Sequence, residues 1–223
     1  MIRRHPPSPR ESEADKKESS DSKPKPPCKN LSREEIRFLA DIVARPLSTT
    51  VSRNQRLNLS RRRGNAVRRH LSSAGIIERV TVATRSGQAV LYELTELVRD
   101  VCSSMGIDAG LKPRESLEHR FWVKQTARYF EKKGYKVSCE HPVKGNGAID
   151  LLAEGPGEKI TVEVETGKSD TKTNLAKIKK ADCDRVLIVA TSPTAVAGCQ
   201  KAIGSAERQK SVQVELLTWL DVS

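Results

Sequence analysis

The stretch AIDLLAEGPGEKITVEVETGK, residues 148–168, predicts a tight β-hairpin whose turn is Gly155-Pro156-Gly157-Glu158. Symmetric closure on this turn places Asp150 directly opposite Glu163 on the neighbouring strand. Because side chains alternate along a strand, Glu165 lies on the same face as Glu163. The other face, directed toward a hydrophobic core, would carry Ile149, Leu151, Val162 and Val164.

The three carboxylates on one face of this hairpin need a compensating charge. Directly opposed side chains have Cβ atoms roughly 4.5–5.5 Å apart, and like charges at that distance destabilise a sheet. Carboxylates beside a core are costly unless a positive charge lies among them. A divalent metal ion with oxygen ligands is the simplest such charge, so the hairpin predicts a metal site.

Residues 114–223 alternate helical and strand patterns around this hairpin, so they predict an α/β domain. Ser116 starts the first helix, which ends near Gly134. Residues 185–190 are almost wholly apolar, which is typical of a strand covered on both faces. The other predicted elements are strands at 135–139 and 212–217 and helices at 171–181 and 193–208.

Residues 31–105 predict three helices, a second β-hairpin and a closing helix. Ser32, with Glu35 three residues later, forms a capping box at the start of the first helix. Ser60 caps the third helix, and Gly75 ends it. The remaining signals are a short second helix at 49–56, a turn at 85–87 and a helix cap at Thr95.

The third helix of this segment is strongly basic. Between Ile42 and Ile77 the chain has eight arginines and neither Asp nor Glu, and five of these arginines lie on this helix. Its first turn favours phosphate, because a helix N-terminus carries partial positive charge. A solvated basic face used for protein contact, or for nothing, is the alternative. The candidate nucleic-acid-binding residues are Arg61, Arg62, Arg63, Asn65, Arg68, Arg69 and Arg85.

Composition and charge narrow the class of partner. A net charge of +12 and a pI of about 9.7 favour a polyanion such as nucleic acid. The five cysteines are scattered without a C-x-x-C pair, which disfavours a disulfide framework and a structural zinc. A cytoplasmic location is therefore expected, with nucleoid association in a prokaryote. No run approaches the ~20 apolar residues of a membrane span, and the N-terminus lacks a signal peptide's apolar stretch.

Two segments lie outside the predicted domains. Residues 1–30 are rich in Pro, Ser and charged residues, so we predict a disordered tail that either tethers nucleic acid or is simply solvated. Residues 106–113 contain Gly106, Gly110 and Pro113, which predict a short linker. The predicted domains are therefore residues 31–105 and 114–223.

Both predicted domains resemble known families. Residues 31–105, with Ala74-Gly75-Ile76-Ile77-Glu78 after the third helix, resemble a winged helix-turn-helix domain, an α+β fold that lays this helix in the major groove. Residues 114–217 resemble the PD-(D/E)xK nuclease superfamily, which includes restriction endonucleases and archaeal Holliday-junction resolvases. The motif residues are Asp150, then after twelve intervening positions Glu163-Val164-Glu165, with Glu118 on the first helix. This second resemblance implies a restriction-endonuclease-like α/β fold with a mixed central sheet.

The resemblance implies a metal-dependent DNA endonuclease that hydrolyses phosphodiester bonds and is targeted by the winged-helix domain. Asp150 and Glu163 would bind Mg²⁺ or Mn²⁺, which neutralises charge on the phosphoryl oxygens and lowers the pKa of a bound water. Glu118 would bind a second ion or hold a water. Superfamily members commonly act as dimers, so a homodimer is one option.

One position departs from the superfamily pattern. Glu165 stands where the motif normally has a lysine that orients the nucleophile. Acidic or amide residues do occur there in some members, so Glu165 stays a candidate catalytic residue. Lys168, just beyond the strand, is the best substitute for the missing cation, ahead of Lys144, Lys172 and Lys177.

The alternative function is a DNA-binding regulator or accessory factor whose nuclease-like domain no longer cuts. RNA as the substrate is less favoured, because winged helices more often read duplex DNA.

Two other signals are set aside. Gly167-Lys168-Ser169 matches the end of a P-loop, but position 162, where that motif needs glycine, is valine. No nucleotide cofactor is therefore expected. His119 follows Glu118 on a helix, so the two side chains point about 100° apart. We expect His119 to be a surface or phosphate-contacting residue.

Overall fold

The structure is a computed structural model, and it describes residues 31–96, 98, 99, 102, 105–110, 113–143, 147–178, 183–207 and 214–222. It is a mixed α/β structure in which N-terminal helices and a β-hairpin precede a five-stranded mixed sheet with helices packed against it. The predicted tail at 1–30 lies outside the described residues.

The N-terminal elements begin and end close to where the sequence places them. Ser32 forms the predicted capping box with Glu35, and the Ser60 side chain accepts the Arg63 N–H at the start of the third helix. Gly75, with φ +67°, follows the end of that helix. The elements are α1 (Arg33–Ala44), α2 (Thr50–Arg56), α3 (Arg61–Ser73), β1 (Ile77–Thr84) and β2 (Gly87–Leu94).

A compact core joins these helices to the hairpin. Phe38 of α1 packs edge-on against Tyr92 of β2, with ring centroids 6.1 Å apart. Leu71 of α3 belongs to the same cluster and is fully buried. Ile107, from the predicted linker, is also buried there. Of the helix predicted after Thr95, Leu97 and Val101 lie outside the described residues, whereas Val98 and Cys102 are buried in this core.

The second half of the chain forms the predicted alternation of helices and strands. Its longest described helix has 16 residues, and nowhere in the described chain does a helix combine the length and apolarity needed to cross a bilayer. The elements are α4 (Leu117–Lys132), β3 (Lys136–Pro142), β4 (Ala148–Gly155), β5 (Glu158–Glu165), α5 (Thr171–Ile178), β6 (Arg185–Ala190), α6 (Pro193–Glu207) and β7 (Val214–Thr218).

The five strands lie in the order β3-β4-β5-β6-β7. The first two neighbouring pairs are antiparallel, and the last two pairs are parallel. Parallel neighbours need crossover connections, and α5 and α6 supply them. The helices cover both faces, so β6 is buried along both sides as predicted: Leu187 packs on the α4 side and Ile188 on the α6 side.

The predicted register of the β4–β5 hairpin is confirmed from Leu151 opposite Val162 to Gly155 opposite Glu158. One residue beyond that run, a side chain contributes to the hairpin: Asp150 Oδ2 accepts the Val164 backbone N–H at 2.7 Å. The carboxylate of Asp150 therefore reaches across to β5 at the edge of the sheet where β4 begins and β5 ends.

The β1–β2 hairpin shares a core with α4. Val82 and Leu91 of the hairpin belong to the same buried cluster as Phe121 and Trp122 of α4, and these side chains are almost completely buried. Burial of this shared apolar surface holds the N-terminal hairpin directly against the first helix of the second half.

Close packing of α2 against α3 depends on a glycine. A Cβ atom at Gly64 would lie 2.4 Å from Asn54 Oδ1. We expect Gly64→Ala to lower the free energy of unfolding by about 1–3 kcal/mol through overpacking. The matched control is Gly198→Ala in α6, where an added Cβ meets open space, and replacing a helical glycine should stabilise by about 0.5–1 kcal/mol. Chemical denaturation measures both, and a Gly64→Ala protein as stable as the wild type would show that Asn54 moves aside freely.

Candidate functional site

The carboxylates of the β4–β5 hairpin meet the start of α4. His119 Nε2 donates to Asp150 Oδ2 at 3.0 Å, and both side chains are 19% exposed. His119, which the sequence predicts to be a surface or phosphate-contacting residue, is partly buried beside the hairpin and lines an open cavity there. Ser116 caps the first turn of α4, and this turn lies against the edge of the sheet. The imidazole of His119 is therefore next to the carboxylate of Asp150 on β4.

Asp150 and Glu163 form an adjacent pair. Asp150 lies one residue before Leu151 and Glu163 one residue after Val162, the last pair in the register of the hairpin, so the two carboxylates share one end of it, and Glu163 is almost fully buried. Burial opposes ionisation of Asp150, but the hydrogen bond and charge of His119 outweigh it, so the pKa of Asp150 lies below its ordinary value. Burial likewise opposes charge on His119, and the Asp150 carboxylate outweighs it, which raises the pKa of His119. Asp150 and His119 therefore each stabilise the charged form of the other.

Glu165 is held by neutral hydrogen-bond donors. Its side chain is 1% exposed. Asn174 Nδ2 of α5 donates to Oε1 at 2.8 Å, and Ser169 Oγ donates to Oε2 at 2.5 Å. Both carboxylate oxygens of Glu165 are thus engaged by the segment that follows β5.

Glu118 and Lys168 form an ion pair at the rim of the site. Lys168 Nζ lies 3.1 Å from Glu118 Oε2, and the lysine side chain is 71% exposed. Gly167, with φ +82°, turns the chain just before Lys168. Of the weaker lysine candidates, Lys172 is exposed on α5; Lys144 and the side chain of Lys177 lie outside what the structure describes.

An open cavity of about 900 Å³, here called the acidic pocket, lies beside these residues, but Glu118 and Glu165 are not among the residues that line it. Asp150, Glu163, His119 and Lys168 all line it. Within the described ranges, no three His, Cys, Asp or Glu side chains are grouped closely enough to form a metal site by themselves. Mg²⁺ commonly keeps several waters and is bound through one or two carboxylates. The neighbouring carboxylates of Asp150 and Glu163 fit such an ion.

A second open cavity, of about 1550 Å³, lies between α3 and the β1–β2 hairpin, and we call it the arginine groove. Five arginines line it, and no Asp or Glu is among its described lining residues. Asn65 lines it too and accepts a hydrogen bond from Arg68, which also donates to Asn54 Oδ1 at 3.2 Å. The arginines are Arg61, Arg68, Arg69, Arg79 and Arg85.

Two of the predicted nucleic-acid-binding residues lie apart from this groove. Arg62 and Arg63 are not among its lining residues. Arg63 Nη2 lies 3.4 Å from Glu34 Oε1 of α1 instead. Their positions on α3 explain the difference, because residues one and two positions from Arg61 point to other sides of the helix.

Three of the eight arginines in the acid-free run pair with the carboxylate of Asp41. Asp41, which lies just before the run, accepts from Arg53 at 2.5 Å and from Arg56 at 2.7 and 2.8 Å. It also lies 3.4 Å from Arg45. Arg53 is fully buried, and its guanidinium carbon lies 5.5 Å from the centroid of the Phe38 ring. The run is therefore less positive as a surface than its composition suggests.

Sequence reasoning missed several residues of these cavities, among them Arg79 in the arginine groove and Lys124 and Arg128 in the acidic pocket, and it did not find the contact of His119 with Asp150. Arg79 stands opposite Tyr92 in the β1–β2 register, and both side chains line the arginine groove. No local signal marks His119, because its partner is 31 positions away in the sequence. No family model, curated protein or solved structure matches this chain, so the site is interpreted from its own geometry.

Proposed function

We propose that this protein is a Mg²⁺-dependent DNA endonuclease that hydrolyses phosphodiester bonds in the acidic pocket. In this proposal residues 31–105 form a winged helix, and residues 114–223 form a restriction-endonuclease-like domain. The observation that carries the proposal is the placement of Asp150 and Glu163 at the same end of neighbouring strands, where both line a pocket that Lys168 also lines. A pair of carboxylates beside a cation is the arrangement that metal-assisted phosphodiester hydrolysis requires.

The residues have distinct roles in this proposal. Asp150 and Glu163 hold the ion, and a bound Mg²⁺ would supply Lewis-acid stabilisation of the phosphate and a more acidic water. The Val164 N–H and His119 Nε2 both donate to Asp150 Oδ2, so they orient this carboxylate at the pocket. His119 thereby acts as a positioning residue for Asp150.

The arginine groove positions the substrate. In a winged helix, the third helix enters the major groove of DNA and the hairpin contacts the flanking backbone. Arg69 of α3 and Arg85 at the hairpin turn line the same groove here, so they are placed to contact phosphates on either side. The acid-free lining supports a polyanionic partner.

The test is a cleavage panel with the full chain. Supercoiled plasmid, branched DNA and single strands are incubated with Mg²⁺, with Mn²⁺ and with a chelator. We expect metal-dependent cleavage that disappears in Glu163→Gln. Salt-sensitive DNA binding with no cleavage under any metal would contradict the proposal.

Lys168 is the candidate for the cation that the motif lacks. It lines the acidic pocket and is held by Glu118. We expect Lys168→Ala to slow cleavage by roughly 10- to 100-fold, because one stabilising charge on the transition state is lost. Lys172→Ala, on the exposed surface of α5, is the control and should cleave at the wild-type rate. Single-turnover kinetics distinguishes the two variants, and unchanged cleavage by Lys168→Ala would place the role elsewhere.

The hydrogen bonds of Glu165 support a second candidate function. In this alternative the protein is a DNA-binding regulator or accessory factor that does not cleave DNA. Both oxygens of this glutamate accept hydrogen bonds from Ser169 and Asn174, so the position offers no cation to a phosphate. This candidate predicts that Glu163→Gln leaves every measurable activity unchanged, whereas arginine-groove variants lose DNA binding.

A further inference from the structure

The surface of α4 between the arginine groove and the acidic pocket is continuous. A cavity of about 560 Å³, here called the bridging cavity, lies between them. Phe121 and Gln125 line both the arginine groove and the bridging cavity. Lys124 and Arg128 line both the bridging cavity and the acidic pocket. A ligand lying along α4 would therefore contact all three in succession.

The charge along this path changes sign at its end. The described residues that line the arginine groove and the bridging cavity include no Asp or Glu. Lys124 and Arg128 are both exposed, so their charges face solvent at the boundary. Acidic side chains first occur in the acidic pocket, where Asp150 and Glu163 lie. A polyanion would be attracted along the first two cavities and would need added cations only in the third.

Packing holds the two ends of the path in a fixed relation. Val82 and Leu91 of the β1–β2 hairpin are buried against Phe121 and Trp122 of α4. His119 at the acidic pocket and Gln125 at the arginine groove are six residues apart on that helix. Six helical residues span about 9 Å, and about three base pairs of DNA span a similar length.

We propose that one DNA duplex occupies the arginine groove and the acidic pocket at the same time, and that Lys124 and Arg128 bind the phosphates between them. This inference rests on the proposed function and adds the route of the substrate. It makes α4 a spacer that places the cleaved bond within a few base pairs of the segment held by the arginines.

The test compares binding to duplexes of two lengths in the presence of a chelator, which prevents cleavage. A duplex of about 8 base pairs is roughly 27 Å long and can bind the arginine groove in registers that stop short of Lys124 and Arg128, whereas one of about 24 base pairs must extend across α4. Fluorescence anisotropy over a range of salt concentrations measures log K against log salt. The variant carries both Lys124→Gln and Arg128→Gln. For the long duplex, we expect the slope of log K against log salt to become shallower by roughly 0.9 per lost phosphate contact, about 1.8 in total. The short duplex should lose clearly less slope than the long one, because it also binds in registers that do not reach the two cations.

The control variant carries Lys132→Gln and Lys201→Gln. Both lysines are exposed, and neither lines the three cavities. This variant removes the same net charge and should bind both duplexes with the wild-type slope. Thermal unfolding of both variants checks that neither has lost its fold.

Each other outcome overturns the inference in a recognisable way. A wild-type slope for the Lys124/Arg128 variant on the long duplex shows that DNA does not cross α4. An equal loss on both duplexes places these two cations within the footprint of the arginine groove. Stronger binding of an RNA duplex, with the same loss of slope, assigns the surface to RNA.

Failure of the proposed endonuclease function and failure of the DNA route along α4 are seen in different measurements. Absence of metal-dependent cleavage removes the endonuclease and leaves the length-dependent binding result intact. Conversely, cleavage by a Lys124/Arg128 variant with undiminished DNA binding keeps the endonuclease and overturns only the route along α4.

Discussion

Replacing Asp150 by Asn is expected to lower Mg²⁺-dependent DNA cleavage by roughly a thousandfold or more, which corresponds to about 4 kcal/mol of transition-state stabilisation. Asp150 is one of the two carboxylates that hold the ion in the proposed function, and it lines the acidic pocket, so loss of its charge weakens metal binding and charge neutralisation together. Glu163→Gln should have an effect of the same size, because the two carboxylates act as a unit. Quenched-flow cleavage of a labelled duplex at saturating Mg²⁺ measures both rates.

The matched control for this experiment is Glu154→Gln on the same strand. Glu154 pairs with Lys159 at the far end of the hairpin and does not line the acidic pocket. It should cleave like the wild type. Asp150→Asn also changes the acceptor of the Val164 N–H, so thermal unfolding must show that the fold persists. A folded Asp150→Asn protein that cleaves at the wild-type rate would contradict the metal site.

Replacing Arg53 by Met is expected to lower the free energy of unfolding by about 3–5 kcal/mol, because it leaves Asp41 buried without its closest partner. Arg53 is fully buried and also donates to the backbone carbonyls of Arg45 and Ser48 at 3.0 and 3.3 Å. Burial lowers the pKa of Arg53 to about 10, so the side chain is still charged at neutral pH. Urea denaturation at neutral pH measures the loss.

Arg45→Ala is the matched control for this prediction. Arg45 contacts the same carboxylate at 3.4 Å but is 57% exposed. An exposed ion pair contributes about 0–1 kcal/mol, so the protein should unfold almost as the wild type does. If Arg53→Met and Arg45→Ala lowered the free energy of unfolding equally, burial would not be the reason that the Arg53–Asp41 pair stabilises the fold.

The Asp41 cluster also predicts how stability depends on pH. Burial raises the pKa of Asp41, but the hydrogen bond from Arg56 and the charges of Arg53 and Arg56 outweigh it, so the folded-state pKa lies below the usual value. A carboxylate with a lowered folded-state pKa contributes stability above its unfolded-state pKa, near 3.9, and loses it as the pH falls through the folded-state value. In the Arg53→Met variant this part of the acid-induced loss should become smaller, which denaturation at a series of pH values would measure.

Much of the local structure could be predicted because the determining interactions are close in sequence. The capping box at Ser32 needs only the side chain three positions later, and the turn between Gly155 and Glu158 determines the register of its hairpin. The predicted bounds of β6, residues 185–190, agree with Arg185–Ala190 in the structure, since an unbroken apolar run suits a strand buried on both faces.

The charged residues were harder to assign, because their partners are distant in sequence. Arg53 belongs to an acid-free run, yet Asp41 of the preceding helix pairs with it in the core. His119 reaches Asp150 across 31 positions of sequence. In both cases the interaction is strengthened by burial, and a short stretch of sequence around either residue does not include its partner.

The sequence by itself determined the helices and strands of this protein, the register of the carboxylate hairpin and the presence of Asp150, Glu163 and Glu165 on one of its faces. Periodicity and turn chemistry specify these features, and both act over a few residues. Only the tertiary structure decided which charges face solvent and which neutralise one another. It placed His119 on Asp150, Lys168 on Glu118, and α4 between the arginine groove and the acidic pocket. The physical reason is that electrostatic strength depends on distance and burial in space, and the packing of α4 against both halves of the chain sets these.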